Sequence, residues 1–347
     1  MESSITSRSS TSSSDPPARA FAVHAALFIA AILAAQTLIY FASGGDKNGL
    51  PDEIRALKKT ASDGTTVLYL GDSVISYTES QGPQMQTLPK ILQSRLPEER
   101  IAVVTHRAYH PGVYLSFAQS MARESHAPPD WIIPVNLRSL SAGWDQRPEY
   151  QFENERILLA HDSNLFRIFY RPMQVFKVFD LVPIKQPDFY TTPVYDGDRL
   201  AGHVREFLAP EMFAVTRARM KRMLIFGYMY SLRADHRKVR ALVELCRVLK
   251  SRGIRPLVYI TPVDYQTGED YLGKRFRERI QENTAVVKRE LAQAGVAPLD
   301  LSLSLGSDDF RWHDAEYPNE HLSQKGREQV AGRLAEALRN GLGPSGQ

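Results

Sequence analysis

Thr65-Thr66-Val67-Leu68-Tyr69-Leu70-Gly71-Asp72-Ser73 is the stretch on which the reading of this chain turns. Residues 65–70 form a short apolar run, β-branched and aromatic at its centre, and Gly71-Asp72-Ser73 makes the turn after it. A run of that length closed by a glycine turn predicts a buried strand. The pattern then repeats outward. Residues 84–96 predict a helix, 101–105 a second strand, 114–123 a helix and 131–135 a third strand. Farther on, 235–252 carries Val239, Leu242, Val243, Cys246 and Leu249 at helical spacing, with Gly253 at the cap position. Residues 256–260 predict a fourth strand. A helix over 273–294 follows, with Phe276, Ile280, Val287 and Leu291 on one face. Residues 298–301 predict a short fifth strand and 324–342 a closing helix. Strands alternating with helices predict an α/β fold, a mostly parallel five-stranded sheet covered on both faces. Sites in such folds lie beyond the carboxyl ends of the strands.

Upstream of that domain, residues 1–19 are rich in Ser, Thr and Pro and predict a disordered tail. Residues 20–42 are apolar apart from His24, Gln36 and Thr37, and they are long enough for a hydrocarbon core of about 30 Å. They predict an uncleaved transmembrane anchor. A signal peptide fits less well, because the apolar run is long and no small-x-small site follows. The tail carries Arg8 and Arg19, and the other flank Lys47, Arg55, Lys58 and Lys59. That count opposes export, but long domains translocate largely regardless of charge, so it leaves the orientation open. Residues 43–62 read as a charged linker and 63–342 as the α/β domain. Residues 142–230 break its rhythm. They are rich in Phe, Tyr, Arg and Pro, as in Phe166-Arg167-Ile168-Phe169-Tyr170-Arg171, and predict a helical insertion or lid.

Composition narrows the classes. The chain has 347 residues, 43% hydrophobic and 24% charged, with a net charge of +4. This excludes wholesale disorder and a multi-span membrane protein. No basic block with interleaved aromatics points to nucleic acid. The single cysteine, Cys246, excludes an intrachain disulfide and a cysteine-built zinc site.

Four residues carry the chemistry. Ser73 follows the first strand, where its hydroxyl stands at the sheet edge and its amide can face an oxyanion. Gly112 follows the second strand in Ala108-Tyr109-His110-Pro111-Gly112, where its amide can approach a ligand closely. Asn136 follows the third strand, and its side-chain amide is a further donor. His321 precedes the last helix, poised to take a proton at neutral pH. Each alone is more often structural. Four in this order, each just past a strand or before the final helix, are not easily dismissed.

These residues resemble the SGNH/GDSL hydrolase superfamily. Leu70-Gly71-Asp72-Ser73 is similar to its first block, and Gly112 and Asn136 to the second and third. His321-Leu322-Ser323 with Lys325-Gly326-Arg327 is similar to the last. The resemblance spans about residues 65–340 around the insertion. It implies a three-layer, flavodoxin-like sandwich, Ser73 as nucleophile, His321 as base and an oxyanion hole from Ser73, Gly112 and Asn136. Three residues before the histidine, where the family has its acid, this chain has Pro318. Glu320 is the first candidate for the catalytic acid by proximity. Asp314, Glu316, Asn319 or a backbone carbonyl are the others, although neighbours on an extended segment point to opposite sides. The third block also has Pro134 and Leu137 in place of the usual Gly and Asp.

The resemblance implies a membrane-anchored serine esterase or O-acyltransferase acting on acyl groups of an envelope polysaccharide or related glycan, or on a small ester, through a Ser73 acyl-enzyme. It calls for no cofactor and no metal. Asp72, His110 and His313 lack the spacing of a metal site. Anchored relatives in resemblance, such as alginate acetyltransferases and D-alanyl transfer proteins, motivate the glycan, an extracytoplasmic domain and polysaccharide-biosynthesis machinery as a partner. That step is analogy. A different class, an anchored non-catalytic binding or assembly subunit that keeps the fold, fits the missing acid.

Overall fold

In chain order the elements are helices α1 (Pro16–Ala42) and α2 (Asp52–Lys59), strand β1 (Val67–Gly71), the single turn α3 (Ser73–Ser76) and α4 (Leu88–Arg95). Then come β2 (Ile101–Thr105), α5 (Pro111–Met121), β3 (Asp130–Val135), α6 (Ala142–Asp145), α7 (Glu153–Ala160), α8 (Arg217–Tyr228) and α9 (Arg237–Ser251). The chain ends with β4 (Arg255–Ile260), α10 (Tyr265–Leu272), α11 (Arg275–Ala292), β5 (Leu299–Asp300) and α12 (Gln324–Arg339). The structure is a computed structural model, and it describes residues 16–42, 50–76, 85–145, 150–161, 163, 166, 168, 170, 217–311 and 320–341. Most of the tail, and residues 171–216 of the insertion, lie outside the described residues. The described parts of 142–230 include the helices α6, α7 and α8.

The chain divides into two units, Met1–Leu50 with Ser163–Asp180, and Pro51–Asp162 with Leu181–Gln347. In the first, Arg19–Ala42 is one continuous helical stretch with mean hydropathy 2.1 and none of its apolar window buried. Phe21 is 76% exposed and Leu38 71%. An apolar helix that buries nothing against protein is long and apolar enough to cross a membrane; a signal sequence near an N-terminus has the same character.

The second unit holds the sheet, in the order β2-β1-β3-β4-β5. Every neighbouring pair is parallel, with Val67 opposite both Ile101 and Asp130, and Ile132 opposite Leu257. This is the doubly wound, flavodoxin-like order, and it reverses direction between β1 and β3. β1 and β3 are buried at every residue, which is why each reads as a continuous apolar run rather than an alternating one. Alternation sorts their side chains to the two faces. Val67, Tyr69, Ile132, Leu257 and Tyr259 form one core with Leu88, Ile91 and Leu92 of α4 and Val330 and Leu334 of α12. Leu68, Leu70, Trp131 and Ile133 face the other way and are equally buried. On that side α9 packs on β4 and against α5.

Two places differ from the sequence reading. Residues 43–62 are not simply a linker. Within them α2 docks beside β2, with Ile54 and Leu57 fully buried. Asp52 and Glu53 in its first turn and Lys58 and Lys59 in its last suit the helix dipole. Eight residues are too few for a stable free helix, but burying each of these two side chains contributes about 1.5–3 kcal/mol. The predicted helix over 273–294 is α11, and a further helix that the sequence reading did not name, α10, precedes it. Gly273, at φ +72°, ends α10 before α11 begins.

If α2 belongs to the fold, Leu57→Ala should lower unfolding stability by about 2–5 kcal/mol, the range for a truncated core leucine. A urea midpoint within error of wild type would return the segment to the status of a linker.

Candidate active site

Ser73 opens α3 directly beyond the carboxyl end of β1. Gly71, the last residue of β1, lets α3 pack closely. A Cβ there would run into the Ile75 side chain and would also touch Thr105 Oγ1. The carbonyl of Asp72 accepts from Thr105 Oγ1 at 3.0 Å and from Ser76 Oγ at 3.3 Å, which fixes the turn against β2. As the first residue of a helical turn, Ser73 has an amide with no intrahelical partner.

His321 reaches this point from 248 residues away, and its Nε2 lies 3.1 Å from Ser73 Oγ. The segment carrying it is set by three local features. Phe310 and Leu322 form an antiparallel bridge, and Leu322 is fully buried in the core beside α4 and α12. Arg311 N donates to the His321 carbonyl at 2.9 Å, and Ser323 N to the Asp309 carbonyl at 2.8 Å. Ser323 caps α12 by accepting from Gly326 N at 3.2 Å. Gly326 lies directly against the backbone carbonyl of Asp309, where a side chain would not fit.

Burial holds the His321 imidazole below its ordinary value. The Glu320 charge opposes this, and Arg138, Arg327 and Arg107 add to it. The ring is therefore neutral at neutral pH, as a base must be.

Glu320, the candidate acid, is 3% exposed. Its Oε2 accepts from Arg138 Nη1 at 2.6 Å and its Oε1 from Asn136 Nδ2 at 3.2 Å. Burial pushes its carboxyl up, but the charges of Arg138 and His321 and the Arg138 hydrogen bond outweigh that and hold it below the usual range. Its hydrogen bonds go to Asn136 and Arg138, so it reaches His321 by charge and not by accepting the imidazole proton. The reason is the one expected of adjacent residues on an extended segment, whose side chains diverge. Pro318, Asp314, Glu316 and Asn319 lie outside the described residues, as does His313.

Two of the three expected oxyanion donors are engaged. Asn136 Oδ1 accepts from Arg138 N at 3.0 Å, which turns Nδ2 toward Asp72 Oδ2 at 3.0 Å as well as toward Glu320. Gly112 N donates to His110 Nδ1 at 3.0 Å, because His110 is the side-chain cap of α5. His110 Nε2 lies 2.9 Å from the Tyr150 carbonyl, so Nε2 carries the proton and Nδ1 accepts. The structure thus brings Ser73, His321, Asn136 and Glu320 together at the switch point, with the Asn136 and Gly112 donors each bonded to protein acceptors.

Asp72 and Arg138 escaped the sequence reading as participants. Asp72 is buried, accepts from Val74 N at 2.9 Å and from Asn136, and is pushed up to about 6, chiefly by burial. The Asn136 hydrogen bond lowers it and the Glu320 charge raises it. Arg138 was signalled weakly, as the one charge in the apolar stretch Trp131-Ile132-Ile133-Pro134-Val135-Asn136-Leu137-Arg138. Among the described residues no cluster of three or more His, Cys, Asp or Glu could hold a metal ion.

Compared by sequence, the chain matches no family model and no curated protein. Among solved structures it is similar to the acetylxylan esterase Axe2 from Geobacillus stearothermophilus, with TM-score 0.36 and 12% identity over 82% of this chain and 97% of that one. A variant of the same enzyme matches at TM-score 0.36 and 12% identity, over 83% of this chain and 100% of that one. At that distance the likeness assigns neither a substrate nor a residue's role to this chain.

Gly326→Ala should destabilise the protein by about 1–3 kcal/mol, because backbone, unlike a flexible side chain, cannot step aside for the new methyl. An unchanged denaturation midpoint would mean that α12 does not hold the turn before His321 in the way described.

Proposed function

We propose that the protein is a serine esterase or O-acyltransferase, with Ser73 as nucleophile and His321 as general base. The single observation that carries this is the 3.1 Å contact between His321 Nε2 and Ser73 Oγ at the switch point of a doubly wound sheet. Ser73 Oγ attacks the ester carbonyl while its proton passes to His321 Nε2. The carbonyl oxygen gains the negative charge and faces the Ser73 amide. His321 then returns the proton to the departing alkoxide, leaving an acyl-serine. Water or a sugar hydroxyl, deprotonated by the same imidazole, attacks that ester and frees Ser73. Hydrolase and transferase differ only in which of the two arrives.

For a full oxyanion hole, Gly112 and Asn136 must exchange their present partners for the substrate oxygen. Engagement of both donors is the observation that favours the second reading, a binding or assembly subunit that keeps the fold without turnover. The reading as a whole places an acylated glycan of the envelope as substrate, α1 as a membrane anchor and the α/β unit outside the cytoplasm. The apolar, unburied character of α1 supports the anchor, and the substrate class motivates the side.

A fluorophosphonate probe, which needs an activated serine, separates the two readings. Wild type should label and Ser73→Ala should not, with unchanged stability, since a small turn residue carries little packing. An unlabelled wild type would favour the binding subunit. In a labelling-rate profile the acidic limb should fall below pH 6.5, because the imidazole is held below the value of a free ring. Glu320→Gln should move that limb lower still, since the Glu320 charge raises the His321 pKa.

For the anchor, alkaline phosphatase fused after residue 347 should be active in cells, and a fluorescent protein that cannot fold outside the cytoplasm should be dark. The opposite pair of results would place the domain in the cytosol and remove the envelope glycan.

A further inference from the structure

The loop after β3 contributes more than its asparagine. Arg138 lies two residues beyond Asn136, with its side chain 18% exposed, and Nη1 meets Glu320 Oε2 at 2.6 Å. Its guanidinium lies 5.4 Å from the centre of the Trp144 ring, and Trp144 in turn stacks on Tyr150 at 4.7 Å. Its backbone amide donates to Asn136 Oδ1 at 3.0 Å. One residue therefore makes two contacts with the site. Its amide aims the Asn136 side chain, and its guanidinium neutralises the carboxylate adjoining His321.

We propose that Arg138 is a positioning residue for the Ser73–His321 pair, acting through Glu320. This rests on the esterase reading of that pair. A carboxylate that is 3% exposed stays ionised only if a cation and hydrogen bonds replace its water. Arg138 supplies the cation and Asn136 a hydrogen bond. The charge thus kept on Glu320 stabilises the imidazolium that forms when Ser73 gives up its proton. Among the described residues, the groups facing Glu320 are Arg138 and Asn136 from the turn after β3, Asp72 from the end of β1, Tyr228 of α8 and His321 itself. Arg327 of α12 and Arg107 after β2 act on the imidazole. Among these, Arg138 is the cation bonded to the Glu320 carboxylate.

The full chain is tested by fluorophosphonate labelling across pH, with the rate at saturating probe and the half-saturating concentration measured separately. A wild type that fails to label sinks the esterase reading itself, before Arg138 is at issue. Given a labelling wild type, Arg138→Gln should lose about tenfold or more in the saturating rate, with the half-saturating concentration unchanged. The rate, and not the position of the acidic limb, carries the test, because loss of the Arg138 charge raises His321 while protonation of Glu320 lowers it. Arg138→Lys should recover most of the rate. A folded Arg138→Gln protein with the wild-type rate would overturn the proposal, and so would a loss confined to the half-saturating concentration. Should Arg138→Gln fail to fold, the paired variant Arg138→Met with Glu320→Gln removes both buried charges. It should label as slowly as Glu320→Gln alone. If Glu320→Gln by itself labels at the wild-type rate, the proposal falls whatever Arg138 does.

Discussion

Glu320 is a charge without water, and the rest of the site is arranged around that constraint. Leaving one partner of a buried ion pair uncompensated typically costs about 3–5 kcal/mol. The fold meets the requirement by convergence of three distant pieces of chain. Glu320 comes from the segment before α12, Arg138 and Asn136 from the turn after β3, and Asp72 from the turn after β1. These are the ends of the two strands where the sheet order reverses. The network is therefore a clasp across the switch point as well as a feature of the site. The same hydrogen bonds that satisfy Glu320 set the distance between the serine turn and the histidine segment.

That clasp has a chemical consequence that pulls against catalysis. Asn136 has two amide hydrogens, and as placed they serve Asp72 and Glu320. A donor bound to a carboxylate is a weaker donor to a developing oxyanion, because it must first give up a charge-assisted bond. Asp72 is the more basic of the two acceptors. It is pushed up to about 6 where Glu320 is held down. The difference follows from Arg138, which stands on Glu320 rather than on Asp72. The Asn136 bond to Asp72 is also the shorter, 3.0 Å against 3.2 Å, so substrate that draws the amide away would give up the Glu320 contact at less cost than the Asp72 one. Gly112 is held differently, by a neutral histidine nitrogen, and a neutral acceptor is the easier one to displace.

The architecture was largely legible because parallel strands buried on both faces leave a plain mark. The run at 65–70, the glycine after it and the helical spacing over 235–252 each reflect one local rule, and each matches an element to within a few residues. The α2 helix was not legible. Two buried apolar residues in eight do not stand out, and its docking on β2 is a tertiary fact. At the site, Ser73 and His321 were readable because each sits at a punctuated boundary, a glycine turn in one case and a capped helix in the other. The donors were readable as residues but not as geometry. Whether Asn136 aims at substrate or at Glu320 depends on Arg138 and on a carboxylate 184 residues away. No spacing in the sequence encodes that pairing. Glu320 was named for its proximity to His321. Yet proximity along an extended segment is what turns the two side chains apart, so the charge acts without the hydrogen bond.

The base of the proposed reaction stands on a stretch with little regular structure of its own. Between β5 and α12 the described chain has one 3₁₀ turn, Ser307–Asp309, and the one-pair bridge between Phe310 and Leu322. Local hydrogen bonding of that extent would not hold an imidazole within hydrogen-bond reach of a hydroxyl. The order comes from the flanks. Leu322 is buried in the core on one side of His321, and Glu320 is fixed in its ion pair on the other. Alternation along an extended chain then leaves His321 a single direction, outward from the core and toward β1. Ser323 and Gly326 close the arrangement by starting α12 tight against Asp309. Precision in the Ser73–His321 contact is thus borrowed from burial two residues wide. A change that loosens either flank should act on the chemistry before it acts on the fold.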